Sequence, residues 1–142
     1  LGEHKSKQDF IRQIILTERR DDLEVEFSAL DWPEAWLKKM SYIQGDAFDA
    51  VENVEAVDLA LIDGIKSDYL SFLNVISPKM KTGSIVVIDN SYWRGSFLDP
   101  DLSERKKSAK NIKELHDFIA RTDEWSGTFI PYIDGMSLLV KK

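Results

Sequence analysis

Apolar residues gather into two short, nearly continuous runs, residues 57–62 (VDLALI) and 84–88 (SIVVI), and each stops at an acid: Asp63-Gly64 after the first, Asp89-Asn90 after the second. Runs of this length suit parallel strands buried on both faces. Between them, Tyr69, Leu70, Phe72, Leu73 and Ile76 recur at helical spacing, which predicts a helix over residues 67–80 with Pro78 perturbing its last turn. Ile112, Leu115, Phe118 and Ile119 form the apolar stripe of a second helix over 107–122. Residues 128–133 and 137–140 alternate around Asp134-Gly135-Met136, a hairpin signal. Towards the N-terminus, Phe10, Ile11, Ile14 and Ile15 predict a helix over about 5–20, and alternation predicts a strand over 23–30. A short helix at 33–39 opens on Pro33, and a strand at 41–44 ends at Gly45-Asp46. Strand–helix alternation closed by a hairpin predicts an α/β fold, mostly parallel with an antiparallel edge.

Length and composition narrow the picture. The 142 residues suit one domain with a real core, and 43% hydrophobic with 31% charged residues is an ordinary globular balance. A formal net charge of −6 opposes nucleic-acid backbones and anionic membranes as partners. The absence of cysteine removes disulfides, thiolate metal sites and cysteine nucleophiles, and fits a reducing, cytoplasmic setting. No apolar run reaches the roughly 18–20 residues of a membrane span. The first residue is Leu1 rather than Met, so an N-terminal part is expected to be missing.

The chemistry-bearing residues sit where the strands end. In open α/β sheets, ligands bind beyond the carboxyl ends of the strands. Asp63, Asp89 and Asn90 would bring two carboxylates and an amide oxygen to one rim, a donor set for a hard divalent cation. The same residue types also serve as helix caps and turns. Lys66, three residues after Asp63, is either a general base at that rim or an ordinary surface lysine. Trp93, on the long loop over 91–104, is placed to wall a planar substrate or to pack in the core. His4 lies where it could approach a cofactor, and His116 reads as a surface or boundary residue of the late helix. No Ser-His-Asp order can be assembled.

Four segments in register resemble the cation-dependent O-methyltransferases, the group that includes catechol and caffeoyl-coenzyme A O-methyltransferases. They are Tyr42-Ile-Gln-Gly-Asp-Ala47; Asp58-Leu-Ala-Leu-Ile-Asp63-Gly-Ile-Lys66-Ser-Asp-Tyr69; Gly83-Ser-Ile-Val-Val-Ile-Asp89-Asn90-Ser-Tyr-Trp93-Arg-Gly95; and Pro131-Tyr-Ile-Asp134-Gly135-Met136. The resemblance implies a Rossmann-like methyltransferase sheet in a single domain over 1–142, lacking its first strand. It implies S-adenosylmethionine as methyl donor and Mg²⁺ or a similar ion on Asp63, Asp89 and Asn90. Lys66 would be the base, and Tyr69 and Trp93 would face a small hydroxyl substrate, catechol-like or another vicinal diol. Gly2, Asp31, Gly45, Asp46, Ala47 and Asp63 would contact the cofactor. Asp31 would be the acid that ends the second strand and bonds the ribose, with Glu26 as its rival. Gly2 would begin a glycine turn that is otherwise weakened here. Family members are often dimers, so a homodimer is the assembly implied.

Two other readings compete. A catalytically degenerate member of the same fold, serving as a binding or scaffold protein, fits the weakened glycine turn but not the retained Asp63, Lys66, Asp89 and Asn90. A phospho-acceptor receiver domain needs an early acid pair after a strand. Asp21-Asp22 follows a predicted helix instead, and Lys141 lies within the last strand.

Overall fold

The structure, a computed structural model, describes residues 14–18, 33–99, 101 and 107–142. The chain divides into two compact units, residues 1–53 and 54–142. The expected strand over 23–30 lies outside the described residues, as do Gly2, His4, Glu26 and Asp31.

In the first unit, β1 (Ile14–Glu18) pairs in parallel with β2 (Met40–Gln44), from Ile14 opposite Met40 to Glu18 opposite Gln44. Among the described residues between them, a helical turn, α1 (Glu34–Leu37), follows Pro33. β1 corrects the reading of residues 5–20 as one helix. Ile14, Ile15 and Thr17 are β-branched, and the apolar cluster that mimics helical spacing is equally a short strand once a neighbouring backbone pairs with it. β2 runs out at Gly45, whose φ of 145° lies where side chains are disfavoured. Asp46 then caps α2 (Ala47–Glu52), its Oδ1 accepting from the Phe48 N–H at 3.0 Å.

The second unit carries a four-stranded sheet in the order β3-β4-β6-β5. β3 (Leu59–Ile62) and β4 (Ile85–Ile88) are parallel, with Ile62 opposite Ile88. β6 (Met136–Lys141) runs antiparallel to β4 and forms the expected hairpin with β5 (Trp125–Ile130). The connection from β3 to β4 carries α3 (Tyr69–Ile76), which passes into a 3-10 turn, Ser77–Lys79, where Pro78 stands. The helix α4 (Lys107–Arg121) precedes the hairpin.

Ala60, Ile62, Val86, Ile88 and Leu139 from the strands meet Tyr69, Leu73 and Ile76 of α3, Ile112 and Leu115 of α4, and Trp125 in one core. The burial is one-sided at β3. Ala60 and Ile62 point inward, while Leu59 and Leu61 are 65% and 69% exposed, so the expectation of strands buried on both faces fails here within the described residues. No described helix is long and apolar enough to cross a membrane.

At the end of β6, the Lys141 ammonium meets the Glu124 carboxylate and the Ser77 hydroxyl, and lies 5.0 Å from the centre of the Trp125 ring. The Lys141 contact, then that of Ser77, holds the Glu124 carboxyl below its usual 4.5. A lowered native pKa adds stability above the ordinary glutamate range, and that stability is lost as pH falls through the native value. Glu124→Gln is therefore expected to lower the melting temperature near neutral pH and to flatten its decline from about pH 5 to about pH 3. A decline as steep as in the parent protein would remove Glu124 from the acid response.

Candidate functional site

The site of interest begins with strand register. Because Ile62 and Ile88 are paired, the next residues, Asp63 and Asp89, leave adjacent strands side by side at the carboxyl rim. Strands in a sheet are about 4.8 Å apart, so two acids at this register share one small region. The Asp89 N–H donates to the Ile62 carbonyl at 3.0 Å, carrying the pairing one residue past the strand. Asn90 then turns into the left-handed region with φ of 51°, which asparagine tolerates better than most residues. Its N–H donates to Asp89 Oδ1 at 2.7 Å.

Lys66 fills the space between them. Its Nζ donates to Asn90 Oδ1 at 2.9 Å and to the Gly64 carbonyl at 3.2 Å, and lies 3.9 Å from Asp63 Oδ1. The rings of Tyr69 and Trp93 approach the same nitrogen, with centroids 5.1 and 5.5 Å away. The lysine side chain is 12% exposed, against 58% for Asp63. Asp63, Lys66, Asn90 and Trp93 are thus brought together as expected, and Asp89 borders them.

Tyr69, expected to face the substrate, is 1% exposed and belongs to the core, with its ring against the Lys66 ammonium. Burial pushes its phenol pKa up, while the neighbouring Lys66 acts in the opposite direction.

The loop after Asn90 is held at several points. Ser91 is fully buried: its N–H donates to the Gly135 carbonyl at 3.0 Å, and its Oγ accepts from Ser137 Oγ at 3.0 Å. The Tyr92 N–H donates to the Asp134 carbonyl, and the Arg94 N–H to Asp134 Oδ1, both at 2.8 Å. Trp93 and Arg94 are left-handed, with φ of 45° and 55°, and the short 3-10 segment Trp93–Leu98 is kinked at Arg94 and Gly95. The start of the expected long loop, residues 91–95, is therefore a tight, strained turn fastened to the hairpin. His116, read from sequence as peripheral, is half-buried against this turn and was missed as part of the site. Helical spacing gave no hint that an in-plane ring nitrogen would face Ser91.

The three oxygen donors have the chemistry of a hard-cation site. Among the described residues, no group of three or more His, Cys, Asp or Glu side chains gathers to hold a metal, so any such site depends on the Asn90 amide. The residues fit the role: a positive group, the Lys66 ammonium, already lies against two of the three donors.

In the first unit, Gly45, Asp46 and Ala47 follow β2 as one turn, where Asp46 acts as a helix cap. The strand that pairs with β2 ends in Glu18. The β-branched residues Ile14, Ile15 and Thr17 were the signal for that strand. Asp31, expected to close a strand over 23–30, lies outside the described residues.

Comparison with known proteins places this geometry in context. The model of the family described as O-methyltransferase matches residues 15–142. The chain is 28% identical over 108 residues to tapetum-specific methyltransferase 1 of Arabidopsis thaliana, covering 70% of this chain and 46% of that protein. It is 23% identical over 111 residues to flavonoid 3',5'-methyltransferase of Vitis vinifera, covering 70% and 47%. The chain thus spans about half the length of the curated relatives it matches. Among solved structures, the O-methyltransferase TomG of Streptomyces achromogenes, in complex with SAM, superposes with a TM-score of 0.80 at 20% identity, covering 92% of this chain and 62% of that one. That likeness shows the fold: a Rossmann-like methyltransferase sheet.

Gly135 tests the clamp on the turn. Its φ is 73°, and a Cβ there would lie 2.5 Å from Tyr92 Cβ and 2.8 Å from the Phe129 ring. Gly135→Ala is expected to destabilise the protein by about 2–4 kcal/mol in urea denaturation, combining left-handed strain with overpacking. A loss under about 0.5 kcal/mol would mean that the turn is not held against the hairpin.

Proposed function

We infer the activity from one premise: this chain belongs to the O-methyltransferase family, whose model matches residues 15–142. The reading is methyl transfer from S-adenosylmethionine to a hydroxyl of a small molecule, assisted by a divalent cation. The observation that carries it is the meeting of Asp63, Lys66 and Asn90 at one strand rim, with Asp89 in register beside Asp63.

Asp63, Asp89 and Asn90 would hold the cation. When bound, such an ion lowers the pKa of a coordinated hydroxyl and fixes its oxygen. Lys66, as the neutral amine left once its ammonium has given a proton to solvent, would receive the proton that the attacking hydroxyl gives up. As the new oxygen–carbon bond forms, the sulfur–carbon bond of the sulfonium breaks and leaves a neutral thioether. Trp93 and Tyr69 flank the lysine and restrict its motion, so the base is positioned before substrate arrives. The exposed carboxylate of Asp63 is open to solvent and to incoming groups. In the first unit, Asp31, with Glu26 as its rival, would bond the ribose, and Gly45-Asp46-Ala47 would form the turn against the cofactor. A vicinal diol of the catechol type suits two oxygens on one ion, and the turn at Trp93 is where selectivity for a planar substrate would reside.

Removing divalent ions is the direct test. Methyl transfer to a catechol-type acceptor is expected to fall to background with EDTA and to return with Mg²⁺. Turnover that survives EDTA would remove the cation from the mechanism. Lys66→Ala is expected to lower kcat by about 10²–10⁴-fold, the usual contribution of a positioned base, with little change in S-adenosylmethionine affinity. Parallel loss of turnover and cofactor affinity would make Lys66 a structural residue.

A further inference from the structure

We propose that His116 is a positioning residue for the candidate cation site, acting through the single peptide group that joins Ser91 to Tyr92. The proposal rests on the reading that Asn90 supplies one of the cation's donors. His116 Nε2 lies 2.7 Å from the Ser91 carbonyl. A carbonyl only accepts, so Nε2 carries the hydrogen and donates it. The N–H at the other end of the same peptide group, that of Tyr92, donates to the Asp134 carbonyl at 2.8 Å. The two poles of one peptide plane are therefore held from opposite sides, by α4 and by the hairpin.

That plane lies between two left-handed residues, Asn90 at φ 51° and Trp93 at φ 45°. Backbone in this region persists only where its surroundings fix it. If the plane rotates, the buried Ser91 carbonyl loses its donor and the turn relaxes at both flanks. The Asn90 amide oxygen and the Trp93 ring, two of the groups that meet Lys66, then lose their common geometry.

The chemistry of position 116 fits this task. The imidazole stacks on Phe97, with centroids 4.6 Å apart and planes 13° apart, and meets Phe129 edge-on at 5.4 Å. A flat ring with an in-plane N–H satisfies both the stack and the carbonyl. Phenylalanine would keep the stack and lose the donor; glutamine would keep a donor at similar reach and lose the ring.

The test compares wild type, His116→Phe and His116→Gln as the whole chain. Amide hydrogen exchange is measured without metal, and Mn²⁺ affinity by electron paramagnetic resonance of the free ion. His116→Phe is expected to speed exchange of the Tyr92 amide by about tenfold or more and to weaken Mn²⁺ binding by a similar factor. Val86 and Ile88 in β4 should stay protected, and His116→Gln should remain within about threefold of wild type in both readouts. Wild-type behaviour of His116→Phe would overturn the proposal. Equal loosening of Tyr92 and β4 in both variants would also overturn it, by making His116 a core filler. Should His116→Phe not fold, a tenfold loss in His116→Gln overturns it alone. If wild type itself binds no Mn²⁺, the cation reading fails separately, and the Tyr92 exchange comparison still decides the role of His116.

Discussion

The pairing of Ile62 with Ile88 governs everything at the rim. Parallel strands bring equivalent ends to the same side of a sheet, and this register sets Asp63 directly beside Asp89. A slip of one residue would move each strand's buried set, Ala60 and Ile62 or Val86 and Ile88, onto the opposite face. The core therefore enforces the alignment of the acids: the apolar packing that stabilises the unit also fixes the chemistry. Like charges placed together at a strand end repel, and the Lys66 ammonium, held by an amide, a backbone carbonyl and two aromatic faces, offsets that repulsion.

The turn after β4 shows a second principle. Asn90, Trp93 and Arg94 all adopt positive φ, a conformation unfavourable for residues other than glycine. The strain is held by bonds from outside the turn: the backbone and carboxylate of Asp134, the carbonyl of Gly135, the hydroxyl of Ser137 and the ring of His116. Since those partners come from α4 and the hairpin, the geometry at the rim depends on elements remote in sequence.

Much of this was legible beforehand, and the reasons are local. The two apolar runs ending in Asp63 and Asp89, the helix broken at Pro78, the amphipathic α4 and the terminal hairpin carry strong periodicity or turn signals, and the structure has each of them. The spacing of Lys66 from Asp63 needs only a strand end followed by a turn. What escaped depends on tertiary partners. Ile14–Glu18 presents too few residues to separate a strand from a helix until β2 lies beside it. Tyr69 and Trp93 both flank Lys66, yet Tyr69 is fully buried in the core while Trp93 is half-buried against it. No sequence pattern tells that the Ser91 backbone would be enclosed, or that His116 would supply its last hydrogen bond.

The half-clad state of β3 has a consequence for how the molecule behaves in concentrated solution. In its sheet this strand is terminal, and no described strand pairs with its outer border, while Leu59 and Leu61 project openly from one side. Such a border is adhesive towards any passing extended peptide. The exposed ion pair of Lys81 with Asp58, 2.8 Å apart at the mouth of the strand, places charge where a stranger's chain would have to begin docking. Charge at an open strand border works against edge-to-edge pairing.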